Sequence, residues 1–182
     1  MNVKNNRRSM MTRQIFRDTL VDLLQENELE DISVKYLCER ANLNRSTFYA
    51  YYQNQVDILR EIEEEKYREL KERLLKEIRP GQKTDVVILM RSMLEYLKEN
   101  RKVLRVLLGT NGRVYFQEKL MEIKELTERH AGIEKSEMTT RYRYYNKVYK
   151  VAGVSRVIEC WIKRDFDIPT SEMAELIIKL AV

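Results

Sequence analysis

A chain of 182 residues is long enough for one sizeable core, or for a small domain joined to a larger one. Its composition, 43% hydrophobic and 35% charged with only five glycines and two prolines, is typical of a folded all-α protein. The formal net charge of +5 permits a polyanionic partner without requiring one.

Two further features limit the class of protein. No apolar run approaches the ~20 residues that a membrane span needs, and the segment MNVKNNRRSMM lacks the apolar stretch of a signal peptide. We therefore expect a cytoplasmic protein without a membrane partner. Cys38 and Cys160 lie far apart with no C-x-x-C spacing, so neither a disulfide framework nor a metal site is indicated, and both are interpreted as small buried apolar residues.

The charge is unevenly distributed along the first third of the chain. Residues 1–60 hold nine Lys or Arg and eight Asp or Glu. Five of those nine cations come early, at Lys4, Arg7, Arg8, Arg13 and Arg17, whereas acids gather in the QENELED segment. Because attraction to phosphates depends on local charge density, a basic arm that approaches nucleic acid and a frayed, solvated tail are both open.

Three helices are predicted before residue 53. The first begins at Thr12 and carries its apolar stripe at i, i+3, i+4 spacing through Ile15, Phe16, Thr19, Leu20, Leu23 and Leu24. Ser33 caps a second helix of about two turns. Asn42 and Asn44 then form a turn, and Asn44 caps a third helix from Arg45 to Tyr52. This is the spacing of a helix-turn-helix.

A long connector helix is predicted next. Asn54 caps it, Asp57 in its first turn complements the positive helix end, and the apolar stripe runs to Ile78. Pro80-Gly81 ends this helix, and residues 80–83 are the one obvious joint in the chain.

The remaining residues predict five more helices, which makes about nine in all. They run from Val86 to Leu97, from Val103 to Leu108, from Arg113 to about Arg129, from Ser136 to a stop at Pro169, and from Thr170 to the end. The last helix is apolar nearly all round, so it must be covered on two sides. A second chain or a fully internal position in a monomer satisfies that requirement.

The third helix divides into two faces. Phe48 and Tyr52, at i and i+4, share the face that meets Leu43 and the first helix. The other face is polar, small and flat, and comprises Arg45, Ser46, Thr47, Tyr49 and Ala50. A helix that enters a major groove needs hydroxyls and a guanidinium for base edges and phosphates. The alternative is that the tyrosines only cap a small core with solvated hydroxyls.

The segment ISVKYLCERANLNRSTFYAYYQNQVDIL carries a family resemblance. It is similar to the N-terminal signature of the TetR/AcrR transcriptional regulators, T-x-x-x-I-A-x-x-A-G-V-S-x-G-T-L-Y-x-H-F-x-x-K-x-x-L. The matching positions are Ser33, Leu37, Cys38, Ala41, Leu43, Asn44, Ser46, Thr47, Phe48, Tyr49, Tyr51, Tyr52 and Leu59. Three positions depart from it: Asn42 replaces Gly, Tyr51 replaces His, and Gln55 replaces Lys.

The resemblance implies an all-α fold with a DNA-binding domain at 10–70, a helix-turn-helix at 33–52 and a regulatory and dimerisation domain at 84–182. The partner it implies is a double-stranded DNA operator. The implied DNA-binding residues are Ser33, Lys35, Asn44, Arg45, Ser46, Thr47, Tyr49, Tyr51 and Gln55.

Gly153 and Trp161, within AGVSRVIECWIKRDFDIPTSEMAELI, resemble a C-terminal subgroup found among regulators of the dihydroxyacetone-kinase type. In the wider family the last two helices form a four-helix dimer interface. The resemblance thus implies a homodimer, with interface residues at Val154, Ile158, Met173, Ile177 and Leu180.

An effector is expected, and its class stays open. Candidate lining residues of an apolar pocket are Met90, Met93, Phe116, Tyr145 and Trp161. Ordinary packing explains each of these equally well, so a small molecule and a protein partner are both possible effectors. The tyrosines at 142, 145 and 149 are expected to face a core or a pocket, rather than to form a platform for single-stranded nucleic acid.

Catalytic chemistry is not indicated. His130 is the only histidine, the sequence contains no H-E-x-x-H and no glycine-rich phosphate loop, and no cofactor or metal ligand set stands out. We therefore predict a sequence-specific, nucleoid-associated regulator rather than an enzyme. Its expected mode is that of a repressor that binds a palindromic operator as a homodimer and is released by an effector, with a helical scaffold or enzyme as the remote alternative.

Overall fold

A computed structural model describes residues 3–78, 85–108, 119, 122 and 140–181. Across these residues the chain forms eight α-helices, one short 3-10 helix at Leu29–Asp31 and no strand, which confirms the all-α prediction. The helices are α1 (Val3–Leu23), α2 (Val34–Ala41), α3 (Arg45–Tyr49), α4 (Gln55–Glu77), α5 (Val86–Glu99), α6 (Arg101–Leu108), α7 (Thr140–Lys163) and α8 (Thr170–Ala181).

The chain divides into two compact units, unit 1 at Met1–Lys66 and unit 2 at Tyr67–Val182. The division falls inside α4. The predicted joint at 80–83 lies outside the described residues. So does the predicted helix at 113–129, apart from Lys119 and Glu122.

Helix α1 begins at Val3, nine residues before the predicted start at Thr12. The preceding residues contain neither proline nor glycine, so nothing in them stops the helix from extending. The Thr12 hydroxyl donates to the Arg8 carbonyl at 3.0 Å, as expected inside a helix. The basic arm is therefore helical, and the interpretation as a frayed tail is wrong from Val3 onward.

Unit 1 is built around side chains from four helices. Phe16, Leu20, Leu37, Phe48 and Ile58 are each 0% exposed. Burying one such side chain contributes about 1.5 to 3 kcal/mol. Helix α1 packs on α2, and α2 packs on α3, so the short third helix is held by contacts with the rest of unit 1.

Arg17 belongs to the contact between α1 and α4 rather than to the basic arm. Its side chain is only 12% exposed, and its guanidinium lies 3.6 Å from a Glu61 oxygen and 2.7 Å from a Glu65 oxygen. Both carboxylates lie on α4. The expectation that Arg17 adds to a free cationic arm is therefore wrong, because its charge is used between α1 and α4.

Unit 2 is organised by α5, which packs on α6 and most extensively on α8, while α7 packs on α6 and α8. Leu94, Leu97, Leu104, Trp161 and Ile177 are all 1% exposed or less. The end of α4 also joins this core: the Arg73 guanidinium donates to the Ser92 hydroxyl at 3.3 Å and Tyr96 donates to Glu69 at 2.8 Å.

The corner between α7 and α8 has an unusual backbone. Asp165 and Phe166 have φ of 53° and 62°, a region that favours glycine. The Phe166 N–H donates to the Trp161 carbonyl at 2.9 Å, and the two rings meet edge to face at 4.8 Å. The Trp161 indole donates to the Ile168 carbonyl at 2.8 Å. These contacts hold the corner at Asp165 and Phe166 in its left-handed backbone conformation.

The described residues contain neither a membrane-spanning helix nor a cluster of metal ligands. None of their helices combines the length and the apolarity required to cross a bilayer. Within the same residues, no three His, Cys, Asp or Glu side chains are grouped as a metal site would need.

Candidate nucleic-acid interface

The turn between α2 and α3 is set by Asn42. This residue has φ 52° and ψ 43°, the left-handed conformation that glycine or asparagine adopts at helix ends. Its N–H donates to the Glu39 carbonyl at 3.2 Å, and the Leu43 N–H donates to the Cys38 carbonyl at 3.0 Å. This is the Schellman arrangement, so asparagine here does the work of the glycine it replaces.

The start of α2 is fixed by Ser33, whose hydroxyl accepts from the Tyr36 N–H at 3.1 Å. This confirms the predicted cap. Asn44 has the extended backbone of a cap before α3, but its side chain makes no capping hydrogen bond.

Helix α3 is shorter than predicted and ends at Tyr49 instead of Tyr52. The Tyr51 and Tyr52 N–H groups both donate to the Phe48 carbonyl, at 2.9 and 3.0 Å, which tightens the last turn. The Asp57 carboxylate then accepts from the Gln53 and Asn54 N–H groups at 2.9 and 3.3 Å. These bonds start the cap of α4, so Tyr51 lies on a turn rather than on the helix.

The predicted inner face of α3 is confirmed. Phe48 is 0% exposed and Tyr52 is 6% exposed. The Phe48 ring meets Phe16 edge to face at 5.3 Å, and Phe16 in turn meets Tyr52 at 6.3 Å. Such aromatic pairs contribute about 0.5 to 1.5 kcal/mol beyond their burial. Burial and the adjacent Glu61 carboxylate raise the pKa of Tyr52, so its hydroxyl stays neutral.

The outer face presents the side chains predicted for DNA. Arg45, Ser46 and Ala50 are exposed, Tyr49 is 60% exposed, and Thr47 is half-buried. The Tyr49 ring still leans on Phe48, edge to face at 5.4 Å, which orients it without burying it. The result is a polar surface with one cation and several hydroxyls.

The other predicted DNA-binding residues lie at the start of α2, at the start of α4 and in the turns before and after α3. Ser33, Lys35 and Asn44 are exposed, whereas Tyr51 and Gln55 are half-buried. Lys35 lies 3.9 Å from Glu39 on the same helix, an exposed pair that leaves its charge largely available.

One pair was missed by sequence reasoning. The Arg13 guanidinium lies 5.5 Å from the centre of the Tyr51 ring, a cation–π contact between α1 and the turn after α3. Because the two residues are 38 positions apart in the sequence, no local spacing reveals the contact. It places a cation of α1 beside the α3 surface.

The comparison with known families decides the class of protein. Residues 88–182, just over half of the chain, match a TetR C-terminal family described as "Transcriptional regulator C-terminal region". The chain belongs to the TetR family of transcriptional regulators. The family is one of regulators and not of enzymes, in line with a sequence that shows no catalytic motif.

Relatives within the TetR family are distant. The HTH-type dhaKLM operon transcriptional activator DhaS of Lactococcus lactis subsp. lactis (strain IL1403) is 38% identical over 66 residues, which is 36% of this chain and 35% of that protein. The match thus spans about a third of the length of the curated relative.

Two solved structures share the fold over nearly the whole chain. A TetR transcriptional regulator from Streptococcus agalactiae 2603V superposes with a TM-score of 0.71 at 18% identity, covering 97% of both chains. The dihydroxyacetone kinase operon activator DhaS superposes with a TM-score of 0.57 at 21% identity, covering 94% of both chains.

In the TetR-type C-terminal unit, the prediction that Tyr145 lines an effector pocket needs correction. Met90 and Met93 are half-buried, Trp161 is 1% exposed, and Tyr145 is 65% exposed. Phe116 lies outside the described residues. An open groove of about 330 Å³ beside Trp161 is lined by Cys160, Ile168 and Met173, among others, and by neither Met90, Met93 nor Tyr145. Tyr145 therefore does not face the core, because its part of α7 is not covered by the described chain.

The residues predicted for the TetR-type dimer interface also need correction. Ile158, Met173 and Ile177 are 1–3% exposed, and Val154 is half-buried. Their own chain already covers Ile158, Met173 and Ile177, since α8 packs on α5 and α7, so they offer no surface to a second copy. Leu180, at 62% exposed, does offer such a surface.

The two cysteines differ. Cys38 is 4% exposed, as predicted, and burial raises the pKa of its thiol. Cys160 is exposed, so the prediction that it is a buried apolar residue is wrong. It lies on the outer face of α7, on the same side as Gly153 and Arg156.

Proposed function

We propose that this TetR-family chain is a sequence-specific DNA-binding regulator that acts as a homodimer on a palindromic operator. The single observation that carries this proposal is the division of α3 between buried Phe48 and an exposed face containing Arg45, Ser46 and Tyr49. A helix so held presents hydroxyls and a guanidinium from a rigid base, as major-groove contact requires.

Each residue of the outer face has a distinct proposed role. Arg45 donates to a guanine edge, and Tyr49 and Tyr51 donate to phosphates. Thr47 either donates to a phosphate or packs against a thymine methyl. The contact between Arg13 and Tyr51 supports a phosphate-binding edge next to α3. Two such surfaces related by two-fold symmetry would enter successive major grooves, about 34 to 36 Å apart.

A homodimer is supported by surface that the single chain leaves uncovered. Leu176 is 38% and Leu180 is 62% exposed on α8, and the adjacent groove is lined by Val157 and Cys160 of α7. Gly153 faces open space, since a Cβ at this position would meet no neighbouring atom within 4 Å. A glycine inside a helix lowers the stability of the helix by about 1 kcal/mol relative to alanine. Close approach of a second helix would explain why glycine occupies this position despite that loss.

The direction of regulation is proposed as repression with release by an effector that binds unit 2. An effector shifts operator affinity only if it binds one conformation better than another. This part of the proposal fails if an effector occupies unit 2 while the operator affinity stays the same.

A second candidate is a regulator that answers to a protein partner and activates transcription. Two observations favour it: the groove beside Trp161 is open rather than enclosed, and the Lactococcus relative is named an activator. A reporter placed behind the bound site separates the two candidates, since deletion of a repressor raises its expression and deletion of an activator lowers it.

Sequencing of the DNA sites bound in cells tests the proposal directly. Enriched sites should share a palindrome, and the Arg45→Ala variant should lose about 1 to 3 kcal/mol of discrimination at one base pair of each half-site. Enriched sites without two-fold symmetry contradict the homodimer, and no enrichment at all contradicts DNA binding.

A further inference from the structure

Three exposed tyrosines lie along one face of α7, and we call them the tyrosine stripe: Tyr142, Tyr145 and Tyr149. Each of the three is at least 65% exposed. At 3.6 residues per turn, the stripe lies on the same face of α7 as Gly153 and Cys160. The buried residues Val151 and Ile158 lie on the opposite face. The stripe therefore continues the surface of α7 that supports the homodimer.

Folding of the chain does not account for the tyrosine stripe. Tyrosine is a weaker helix former than alanine, and little of that loss is recovered here by burial. At these exposures the three rings offer on the order of 400 Å² to solvent. That area is about half of the ~800 Å² that each partner buries in an interface of standard size. The stripe is thus large enough to form a substantial part of a dimer contact.

A groove of about 330 Å³, which we call the Trp161 groove, lies further along the same helix. The apolar part of its lining comes from Val157, Cys160, Trp161, Ile168 and Met173. Arg164 and Asp167 add polar groups to the lining. A tyrosine side chain fits a site of this composition, because its ring is apolar and its hydroxyl needs a polar partner when buried.

The stripe and the groove are equally far from Gly153. Tyr145 lies eight residues before Gly153 and Trp161 lies eight residues after it, about 12 Å along the helix in either direction. Tyr149 and Val157 lie four residues to either side, which is about 6 Å. A two-fold axis through Gly153, perpendicular to α7, therefore sets Tyr145 of each copy level with Trp161 of the other. The same axis sets Tyr149 level with Val157.

Given the homodimer proposed above, we infer that α7 crosses its counterpart antiparallel at Gly153. In this crossing, Tyr145 and Tyr149 of each copy pack into the Trp161 groove of the second copy. Equal steps before and after Gly153 also rotate by equal and opposite angles about the helix axis, so the two-fold rotation brings the side of the stripe onto the side of the groove. A two-fold contact requires a surface that is complementary to itself, and the stripe with the groove meets that requirement.

A parallel crossing fits less well. With the two-fold axis along α7, each tyrosine of the stripe would meet the same tyrosine of the second copy, and both grooves would stay open. The exposed Arg141 would likewise face its own counterpart. An antiparallel crossing instead places the start of each helix beside the end of the other, which the helix dipoles favour. Contact that extends about 12 Å from Gly153 also requires the shallow class of helix packing, near 20°.

Cysteine crosslinking of the purified protein tests the pairing, because the native Cys160 lines the groove. Tyr145→Cys, at a concentration where it sediments as a dimer, should give a covalent dimer with a short bis-maleimide, and Tyr145→Cys/Cys160→Ser should give none. The unchanged chain should give none either, since its two Cys160 residues would lie about 21 Å apart along the helices. The matched control is Tyr144→Cys, whose position is 64% exposed but points about 100° around the helix from Tyr145.

Sedimentation velocity measures the strength of the same contact. Tyr145→Ala/Tyr149→Ala should raise the dimer dissociation constant by more than about tenfold, since two aromatic anchors are removed. Gly153→Ala should also raise it, although alanine is the better helix former and its Cβ meets no atom of its own chain within 4 Å. A glycine without a role in the crossing predicts no such loss of association.

The outcomes separate the pairing from the homodimer itself. A dimer that gives no crosslink from position 145, or whose dissociation constant survives the alanine substitutions, overturns the pairing and leaves the homodimer standing. A crosslink from position 145 that persists without Cys160 shows a parallel crossing and also overturns the pairing. A chain that sediments as a monomer at every concentration contradicts the homodimer and the pairing together.

Discussion

Adjacent residues of α3 should respond in opposite ways to substitution. Phe48 is fully buried against Phe16 and Tyr52, whereas Tyr49 is 60% exposed on the other face. Phe→Ala in a core costs about 3 to 5 kcal/mol, and the milder Phe48→Leu, which keeps most of the volume, should cost about 1 to 2 kcal/mol. Tyr49→Ala removes only a half-solvated ring contact and should cost less than about 1 kcal/mol.

The two substitutions are compared by native-state hydrogen exchange and by operator binding. Exchange of the slowest amides in unit 1 reports the unfolding free energy of that unit. Unlike thermal unfolding of the whole chain, it shows which unit a substitution destabilises. Phe48→Leu should lower that free energy while the folded fraction binds the operator normally. Tyr49→Ala should leave hydrogen exchange nearly unchanged. It should weaken binding to all DNA sequences alike, by about tenfold, as expected for the loss of a phosphate contact.

The refuting result is a reversal of this pattern. If Tyr49→Ala destabilises unit 1 as much as Phe48→Leu and leaves operator affinity unchanged, the tyrosines are only caps on a small core. The outer face would then have no part in binding DNA.

The remaining predictions concern single positions. Asn42→Ala should lower the urea midpoint by the equivalent of about 1 kcal/mol, while Asn42→Gly leaves it unchanged or higher, because only alanine is strained at φ 52°. Gln55→Lys should tighten non-specific DNA binding and steepen its salt dependence by about 0.9 in log–log slope if the new cation reaches a phosphate. Arg13→Gln should reduce that slope, whereas Arg17→Gln should leave it unchanged and cost about 1 to 2 kcal/mol of stability, measured by urea unfolding. Lys163 and, to a lesser extent, Arg156 donate to Glu159 and hold the pKa of its carboxyl below the ordinary 4.5. The stability that Glu159 contributes is therefore present above pH 4.5 and lost as the pH falls through the lowered pKa. Glu159→Gln should flatten the acid side of a plot of unfolding free energy against pH.

Local pattern was sufficient for much of unit 1. The caps at Ser33 and Asn54, the left-handed turn at Asn42 and the inward phase of Phe48 all depend on residues fewer than six positions apart. Such features follow from helix geometry and hydrogen-bonding capacity, which a sequence displays directly.

Features that depend on long-range contacts were not predictable. Arg17 looks like a member of a basic arm until Glu61 and Glu65 of α4 are seen beside it. Met173 and Ile177 look available for a partner because α8 is apolar nearly all round, yet α5 covers that side within the chain. Periodicity identifies an apolar face but does not say what covers it.

The tyrosines of α7 are the opposite case, because they were expected to be buried and are exposed. Their helical spacing suggested a buried stripe, since aromatic residues at that period are usually core. In the structure their part of α7 is exposed on several sides. An aromatic stripe therefore indicates a contact, and whether the contact lies inside the chain or with another molecule depends on which helices reach it.

The positive charge available near α3 is smaller than the sequence suggests, and this has a consequence for specificity. Arg17 is neutralised by α4, and Gln55 is uncharged where the family signature has lysine. Non-specific affinity rises with the number of phosphates that cations neutralise, whereas discrimination comes from base edges. Fewer phosphate-directed cations lower the affinity for all DNA alike and leave the contribution of Arg45 untouched. If the proposed DNA surface is right, the chain should bind its operator with modest affinity and a shallow salt dependence, while the ratio of specific to non-specific binding stays high.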